Sequence, residues 1–164
     1  MNNTDIYKQF YMKELATKTE LNNAVQMPIF LLTTIISFHV FLFTKISDRT
    51  LELIVIESAI NFCILIRSLY YLNKSYFNLG NAFSYAETAG MDVIFKHQVS
   101  LENQNKESHF EPYFERQLAT CAGINFNLNV QRTKDLAKAK KAIYFSIFLS
   151  LIASIIYIIS LIIK

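Results

Sequence analysis

The chain has 164 residues, of which 52% are hydrophobic and 18% charged, and its formal net charge is +3 at pH 7. A typical soluble domain has about 25% charged residues, so this chain is unusually apolar. The apolar residues concentrate in segments 27–43, 51–72 and 142–163, and the last carries no charge. It is longer than the roughly 10–14 apolar residues of a buried core helix. The composition therefore excludes a purely soluble domain.

Turn-forming residues are scarce, with three glycines and two prolines in the whole chain. Repeated hairpins of a membrane barrel need many more turns. We therefore predict an all-α membrane protein with about three spans, in which a helical hairpin and a C-terminal transmembrane helix flank a helical cytosolic segment.

Residues 1–26 have the pattern of an amphipathic helix, because apolar residues recur at helical spacing among lysines and glutamates. These apolar residues are Ile6, Tyr7, Phe10, Tyr11 and Leu15. The helix has two possible positions, the lipid headgroup layer or the surface of the protein's own cytosolic part. Nothing in this region resembles a cleavable signal peptide.

Residues 27–72 are predicted to form the transmembrane hairpin, because only a short connector, 45–50, separates the two apolar segments. The first segment spans about 26 Å, near the lower limit for a bilayer core. Hydroxyl side chains at Thr33, Ser37 and Thr44 share one helical face, which favours helix packing. His39 points away from that face.

The second segment carries a polar stripe formed by Glu57, Asn61 and Ser68, which lie within about 40° of one another on a helix. Arg67 lies roughly 80° away and is expected to extend toward the nearer interface. Ionisable groups inside a membrane usually face protein or water. The stripe therefore predicts either a wet seam or a buried polar clamp that fixes helix register.

Residues 73–141 are predicted to be a cytosolic helical region, with a short helix over 82–101 that is broken or bent at Gly90 and a long helix from about residue 110. The long helix has an imperfect heptad seam, in which polar Asn125 is typical of a residue that sets register. The candidate stalk seam comprises Phe114, Leu118, Cys121, Asn125 and Leu128, and continues through Arg132, Asp135, Ala139 and Ala142. It contacts either a partner or the protein's own 82–101 helix.

No helix stop separates this stalk from the last apolar segment, residues 142–164, so we expect one continuous helix. Within it, small polar residues and a tyrosine share a face that permits close helix approach. This candidate packing face comprises Ser146, Ser150, Ser154 and Tyr157. Packing on the other spans is expected first, and self-association into a homo-oligomer second.

Nine of the sixteen lysines and arginines lie in residues 73–141. Cytoplasmic loops are enriched in basic residues, so the N-terminus and residues 73–141 are expected in the cytoplasm and the C-terminus outside. The basic residues next to the last span are Arg132, Lys134, Lys138, Lys140 and Lys141. They are expected to contact anionic lipid. Direct nucleic-acid contact is disfavoured, since the same region also holds seven acidic residues.

The sequence has no catalytic or metal-binding motif of known spacing. His39, His97 and His109 lack ligands at suitable spacing, and the two cysteines, Cys63 and Cys121, are expected to be free thiols. We therefore predict no enzyme activity, no metal and no cofactor.

The order of features resembles a family of small bacterial membrane proteins that act as toxic effectors in phage defence, including the two-transmembrane effectors of retrons. The resemblance rests on the amphipathic start at 6–21, the Met27-Pro28 entry into the first span, the aromatic end of the second span at 69–77 and the stretch FEPYFERQ at 110–117. The 82–101 region matches poorly.

This resemblance implies an inner-membrane toxin that a regulatory partner silences, such as a reverse transcriptase bound to its RNA–DNA hybrid. Infection would release the toxin to perturb or permeabilise the membrane. The residues alone leave a second function open, a non-catalytic membrane anchor or assembly subunit of a larger complex.

Overall fold

The protein is described by a computed structural model, which covers residues 3–45, 48–77 and 85–162. These residues form helices and no strand, which confirms the predicted all-α class. The helices are α1 (Asn3–Ala24), α2 (Gln26–Lys45), α3 (Asp48–Phe77), α4 (Met91–Asn103), a 3-10 turn (Glu107–His109) and α5 (Phe110–Ile162). Three helical stretches are long and apolar enough to cross a membrane, Thr4–Lys45, Glu52–Phe77 and Phe110–Ile162.

The chain divides into two compact units. The polar unit comprises Met1–Leu21 and Asn81–Gln131, and the span unit comprises Asn22–Gly80 and Arg132–Lys164. Helix α5 continues through residues 131 and 132, so it contributes to both units. As the sequence predicted, no helix stop separates the stalk from the last apolar segment.

Helices α1 and α2 meet at Val25, where the helix is interrupted for one residue. Pro28 lies in the first turn of α2, where a missing backbone N–H is tolerated. The N–H of Ile29 donates to the carbonyl of Val25 at 3.2 Å and restarts the helical pattern. The fresh helix start expected near Met27 is therefore observed.

The predicted helix over 82–101 is only partly helical, because residues 85–90 have no regular structure and α4 begins at Met91. Gly90 caps the helix with a backbone carbonyl that accepts from Val93 and Ile94. At the other end Asn105 adopts a left-handed conformation, with φ of 53°. Asparagine tolerates this geometry, and the N–H of Lys106 closes the helix end by donating to the Leu101 carbonyl at 2.9 Å.

Within the polar unit, α1 packs against the first part of α5. Tyr11 is buried with Leu118 and Ala122, and Tyr7 and Leu15 pack around them. Of the two positions that the sequence left open for the N-terminal helix, the structure supports packing on the protein's own chain.

Within the span unit, α3 and α5 run antiparallel in a fixed register. From one contacting pair to the next, the residue number rises by seven on α3 and falls by seven on α5. The pairs are Ile54 with Ala153, Asn61 with Ser146, Ser68 with Ala139, and Ser75 with Arg132. Three of the four α5 members are alanine or serine and are fully buried. Small side chains at such a seam let two helix backbones approach closely.

Candidate functional site

A cluster of polar side chains lies among α2, α3 and α5 in the span unit. It comprises His39 from α2, Glu57, Ser58 and Asn61 from α3, and Ser146 and Ser150 from α5. We call it the His39 cluster. All its members except Glu57 are buried, and Glu57 is half-buried.

Asn61 is at the centre of the His39 cluster and is fully buried. Its side-chain carbonyl accepts from the Ser146 hydroxyl, which turns its amide nitrogen toward the other members. That nitrogen lies 2.7 Å from His39 Nε2 and 3.0 Å from Ser150 Oγ. One amide therefore links the three helices. These bonds also satisfy the amide, which would be costly to bury without partners.

The hydrogen bonds define the histidine tautomer. Because the Asn61 amide nitrogen can only donate, His39 Nε2 accepts and the ring proton is on Nδ1. His39 Nδ1 then donates to Ser58 Oγ at 3.0 Å, and Ser58 Oγ donates to Glu57 Oε2 at 3.5 Å. His39 Nδ1 is also 3.7 Å from Glu57 Oε2. An imidazole and a carboxylate are thus linked through one hydroxyl.

The His39 cluster lies within the three apolar segments, and His39 and Glu57 are nearer the 45–50 connector than the middle of their own segments. Asn61 opposes Ser146, so Glu57, four residues earlier on α3, is level with Ser150 of α5. Ser150 lies well inside the uncharged segment 142–163. An apolar groove of about 410 Å³ between α2 and α3 is lined by both His39 and Ser58. The groove gives the cluster a side opening on the apolar surface of the span unit.

The residues of the predicted polar stripe lie in two separate places along α3. Glu57 and Asn61 belong to the His39 cluster, whereas buried Ser68 donates to the Ala139 carbonyl at 3.2 Å farther along the α3–α5 seam. Arg67 is exposed and lies 5.9 Å from the centre of the Tyr71 ring. Arg67 therefore does not contribute to the cluster.

The predicted packing face of α5 faces the other spans. Ser146 and Ser150 bond to Asn61, and Tyr157 packs around buried Leu42, Ile54 and Ala153. Ser154 lines a second groove, of about 340 Å³, beside α2. The expected default, packing on the neighbouring spans, is what the structure shows.

The candidate stalk seam faces the protein's own chain within the polar unit. Asn125 is fully buried and holds the backbone of Ala86 by two bonds, of 2.8 and 3.0 Å. Cys121 Sγ is 3.6 Å from the Glu87 carbonyl, and burial raises the pKa of this thiol. Leu118 packs on Tyr11, Phe114 lies beside that cluster, and Leu128 is buried.

Asn129, which the sequence analysis did not select, makes a second polar link in this unit. Its amide donates to the Glu14 carbonyl and to a Glu14 carboxylate oxygen, both at 2.9 Å, and its carbonyl accepts from the Tyr85 hydroxyl. Asn125 and Asn129 are four residues apart, so they share a helix face. Together they connect α5 to α1 and to residues 85–90.

One member of the predicted lipid-binding cluster has a different environment. Arg132 is buried, where Nε donates to the Ser75 carbonyl and a terminal nitrogen donates to Asn22 Oδ1, both at 2.6 Å. It therefore joins helices and is not available to lipid. Lys134, Lys138, Lys140 and Lys141 are exposed, and Lys138 is 3.6 Å from Asp135.

The sequence analysis missed His39 and Ser58. It chose the hydroxyl face of α2 instead, but Thr33, Ser37 and Thr44 are exposed, and two of their hydroxyls bond to their own helix. The signal for His39 was its spacing from the buried residues Leu32, Ile35 and Leu42. An ionisable residue on the apolar, inward face of a span is itself a candidate for function.

Among the described residues, no three His, Cys, Asp or Glu side chains are grouped to hold a metal ion. His97 lies against Tyr113, with ring centres 4.2 Å apart.

Comparison with known proteins finds no matching family model, curated protein or solved structure.

Proposed function

We propose that this protein is a membrane-embedded effector that perturbs the bacterial inner membrane by letting protons cross it. The observation that carries the proposal is the hydrogen-bonded series from His39 through Ser58 to Glu57, inside the apolar segments. A charged residue at the centre of a span costs about 2.5–3.5 kcal/mol by insertion scales, so a carboxylate such as Glu57 within an apolar segment is costly. A protein retains such a cost most readily where the groups have a function.

The cluster has the chemistry of a proton relay. A proton that arrives at Nε2 of neutral His39 gives a doubly protonated ring. The ring can then release its Nδ1 proton to Ser58 Oγ, which passes its own proton to Glu57. The imidazole thus gains a proton at Nε2 and loses one at Nδ1, the Ser58 hydroxyl gains one and loses one, and the Glu57 carboxylate gains the proton that it must release to the other side. Rotation of the imidazole and of the Ser58 hydroxyl then restores the starting pattern of hydrogen bonds.

The proposed orientation places the polar unit and the N-terminus in the cytoplasm and the C-terminus outside, because basic residues concentrate in 73–141. The family resemblance supplies the proposed control, a cytoplasmic partner such as a reverse transcriptase with its RNA–DNA hybrid. Such a partner would hold the effector silent in a phage-defence system and release it on infection.

The test is expression of the chain alone in bacteria while the membrane potential is recorded. We expect depolarisation by the wild type, and a loss of most of it in Glu57→Gln, because an amide cannot accept the relayed proton. Glu52→Gln removes the same charge from an exposed position of α3 and should depolarise like the wild type. Equal depolarisation by both variants, at equal membrane abundance, would refute the relay.

A second function, a non-catalytic membrane anchor or assembly subunit, is favoured by a separate observation. Every buried side-chain nitrogen and oxygen among the described residues has a hydrogen-bond partner. A fully bonded polar cluster can serve only to fix helix register. An anchor would leave the membrane potential intact in the same recording.

A further inference from the structure

A basic cleft lies between α3 and α5 in the span unit and encloses about 490 Å³. Three cationic side chains, Arg67, Lys138 and Lys141, line it together with Tyr71. Ile64 and Phe145 form its apolar wall. The cleft is separate from the His39 cluster and shares no residue with it.

The aromatic ring of Tyr71 holds two of the cations in place. Lys138 Nζ is 5.3 Å and Arg67 Cζ is 5.9 Å from the ring centre, within the usual range of a cation–π contact. The side chains that define the cleft are thus positioned by the protein before any ligand arrives.

The cleft has an excess of positive charge. Asp135 is the nearby carboxylate, and it is shared by Lys138 at 3.6 Å and Lys74 at 3.7 Å. Among the described residues, no ion pair engages Arg67 or Lys141. An anionic ligand would therefore balance the positive charges of Arg67 and Lys141.

The position of the cleft identifies the kind of anion. Ser68 opposes Ala139, so Arg67 is level with Lys140, beside the start of the uncharged segment at Ala142. The cations thus lie at one end of the spans, while Ile64 and Phe145 continue into the apolar region. A ligand that fits has a charged head and a hydrocarbon tail.

We propose that this cleft binds the phosphodiester headgroup of one anionic phospholipid, with its acyl chains along Ile64 and Phe145. Arg67 presents a planar fork that matches two phosphate oxygens, and Lys141 adds a point charge. Basic pockets between transmembrane helices bind anionic lipid headgroups in this way. The site does not depend on whether the protein conducts protons.

The test uses the purified full chain in micelles that contain equal amounts of phosphatidylglycerol and phosphatidylcholine, with bound lipid read by native mass spectrometry. We expect one phosphatidylglycerol per chain. Each cation near a membrane surface contributes about fivefold in affinity. Lys141→Gln should therefore weaken retention about fivefold, and Arg67→Gln with Lys141→Gln roughly 30-fold.

The matched control is Lys96→Gln with Lys106→Gln, which removes two exposed charges from the polar unit, outside the cleft and outside the predicted lipid-binding cluster. Retention by this control should equal that of the wild type. Equal weakening in both double variants, or equal retention of phosphatidylcholine, would overturn the proposal. Displacement of the lipid by millimolar inorganic phosphate would show a site for free phosphate instead. If the Arg67 variant does not fold, the single Lys141→Gln variant decides the outcome.

Discussion

At the scale of single residues, Cys121 reports both environment and orientation. Burial raises the pKa of its thiol, and the thiolate is the form that reacts with maleimides. In a Cys63→Ser background, we expect slow labelling at neutral pH that accelerates as pH rises toward the raised pKa. In the proposed orientation, an impermeant maleimide should label Cys121 only after spheroplasts are opened.

Two results would count against this prediction. Labelling of sealed spheroplasts would place the polar unit outside the cell. A labelling rate that levels off at the same pH as that of a small free thiol would show that burial does not raise the pKa.

The roles of single residues were the hardest to predict from sequence. Arg132 and Lys141 belong to one basic run, yet Arg132 is buried against Ser75 while Lys141 is exposed in a cleft. Helical periodicity gives the direction of a side chain on its own helix, but not the helix that faces it. The same reason explains why the contacts of His39 with α3 and α5 were not predicted.

At the scale of helices, the α3–α5 register depends on small residues. Ala139 is fully buried, and its carbonyl accepts from Ser68. Ala139→Leu forces extra methyl groups into this contact, which typically costs about 1–3 kcal/mol. We expect that loss of stability in denaturant titration of the purified protein, followed by circular dichroism.

The control for this prediction is Ala137→Leu, the same substitution at an exposed position of the same helix. Ala137→Leu changes helix propensity by the same amount as Ala139→Leu. Because position 137 is exposed, Ala137→Leu should change stability by less than about 0.5 kcal/mol. Equal destabilisation by the two substitutions would mean that α3 and α5 are not closely packed at Ala139.

Helices themselves were largely predictable. Long apolar runs and scarce glycines indicated the spans, and the absence of a stop near Lys141 indicated a continuous α5, which extends from Phe110 to Ile162. The irregular conformation of residues 85–90 was not predicted, because Asn125 holds Ala86 by tertiary bonds that local propensity does not contain. The seven-residue steps along α3 were also visible only once Ser75 and Arg132 were seen to pair.

At the scale of the whole molecule, α5 makes a different set of polar contacts in each of the two units. In the polar unit, α5 is bonded to α1 and to residues 85–90 through Asn125 and Asn129. In the span unit, α5 supplies Ser146 and Ser150 to the His39 cluster. One helix thus supplies buried residues to the polar unit and to the site proposed for activity.

In the proposed function, the protein by itself lets protons cross a membrane through the His39 cluster. The most direct measurement uses purified protein in sealed liposomes that contain a pH-sensitive dye, with an imposed potassium diffusion potential. We expect wild-type protein to acidify or alkalise the lumen in the direction of the potential, and His39→Gln to do so much more slowly. A lumen pH that wild-type protein leaves unchanged, or proton flux that His39→Gln leaves at the wild-type rate, would contradict it.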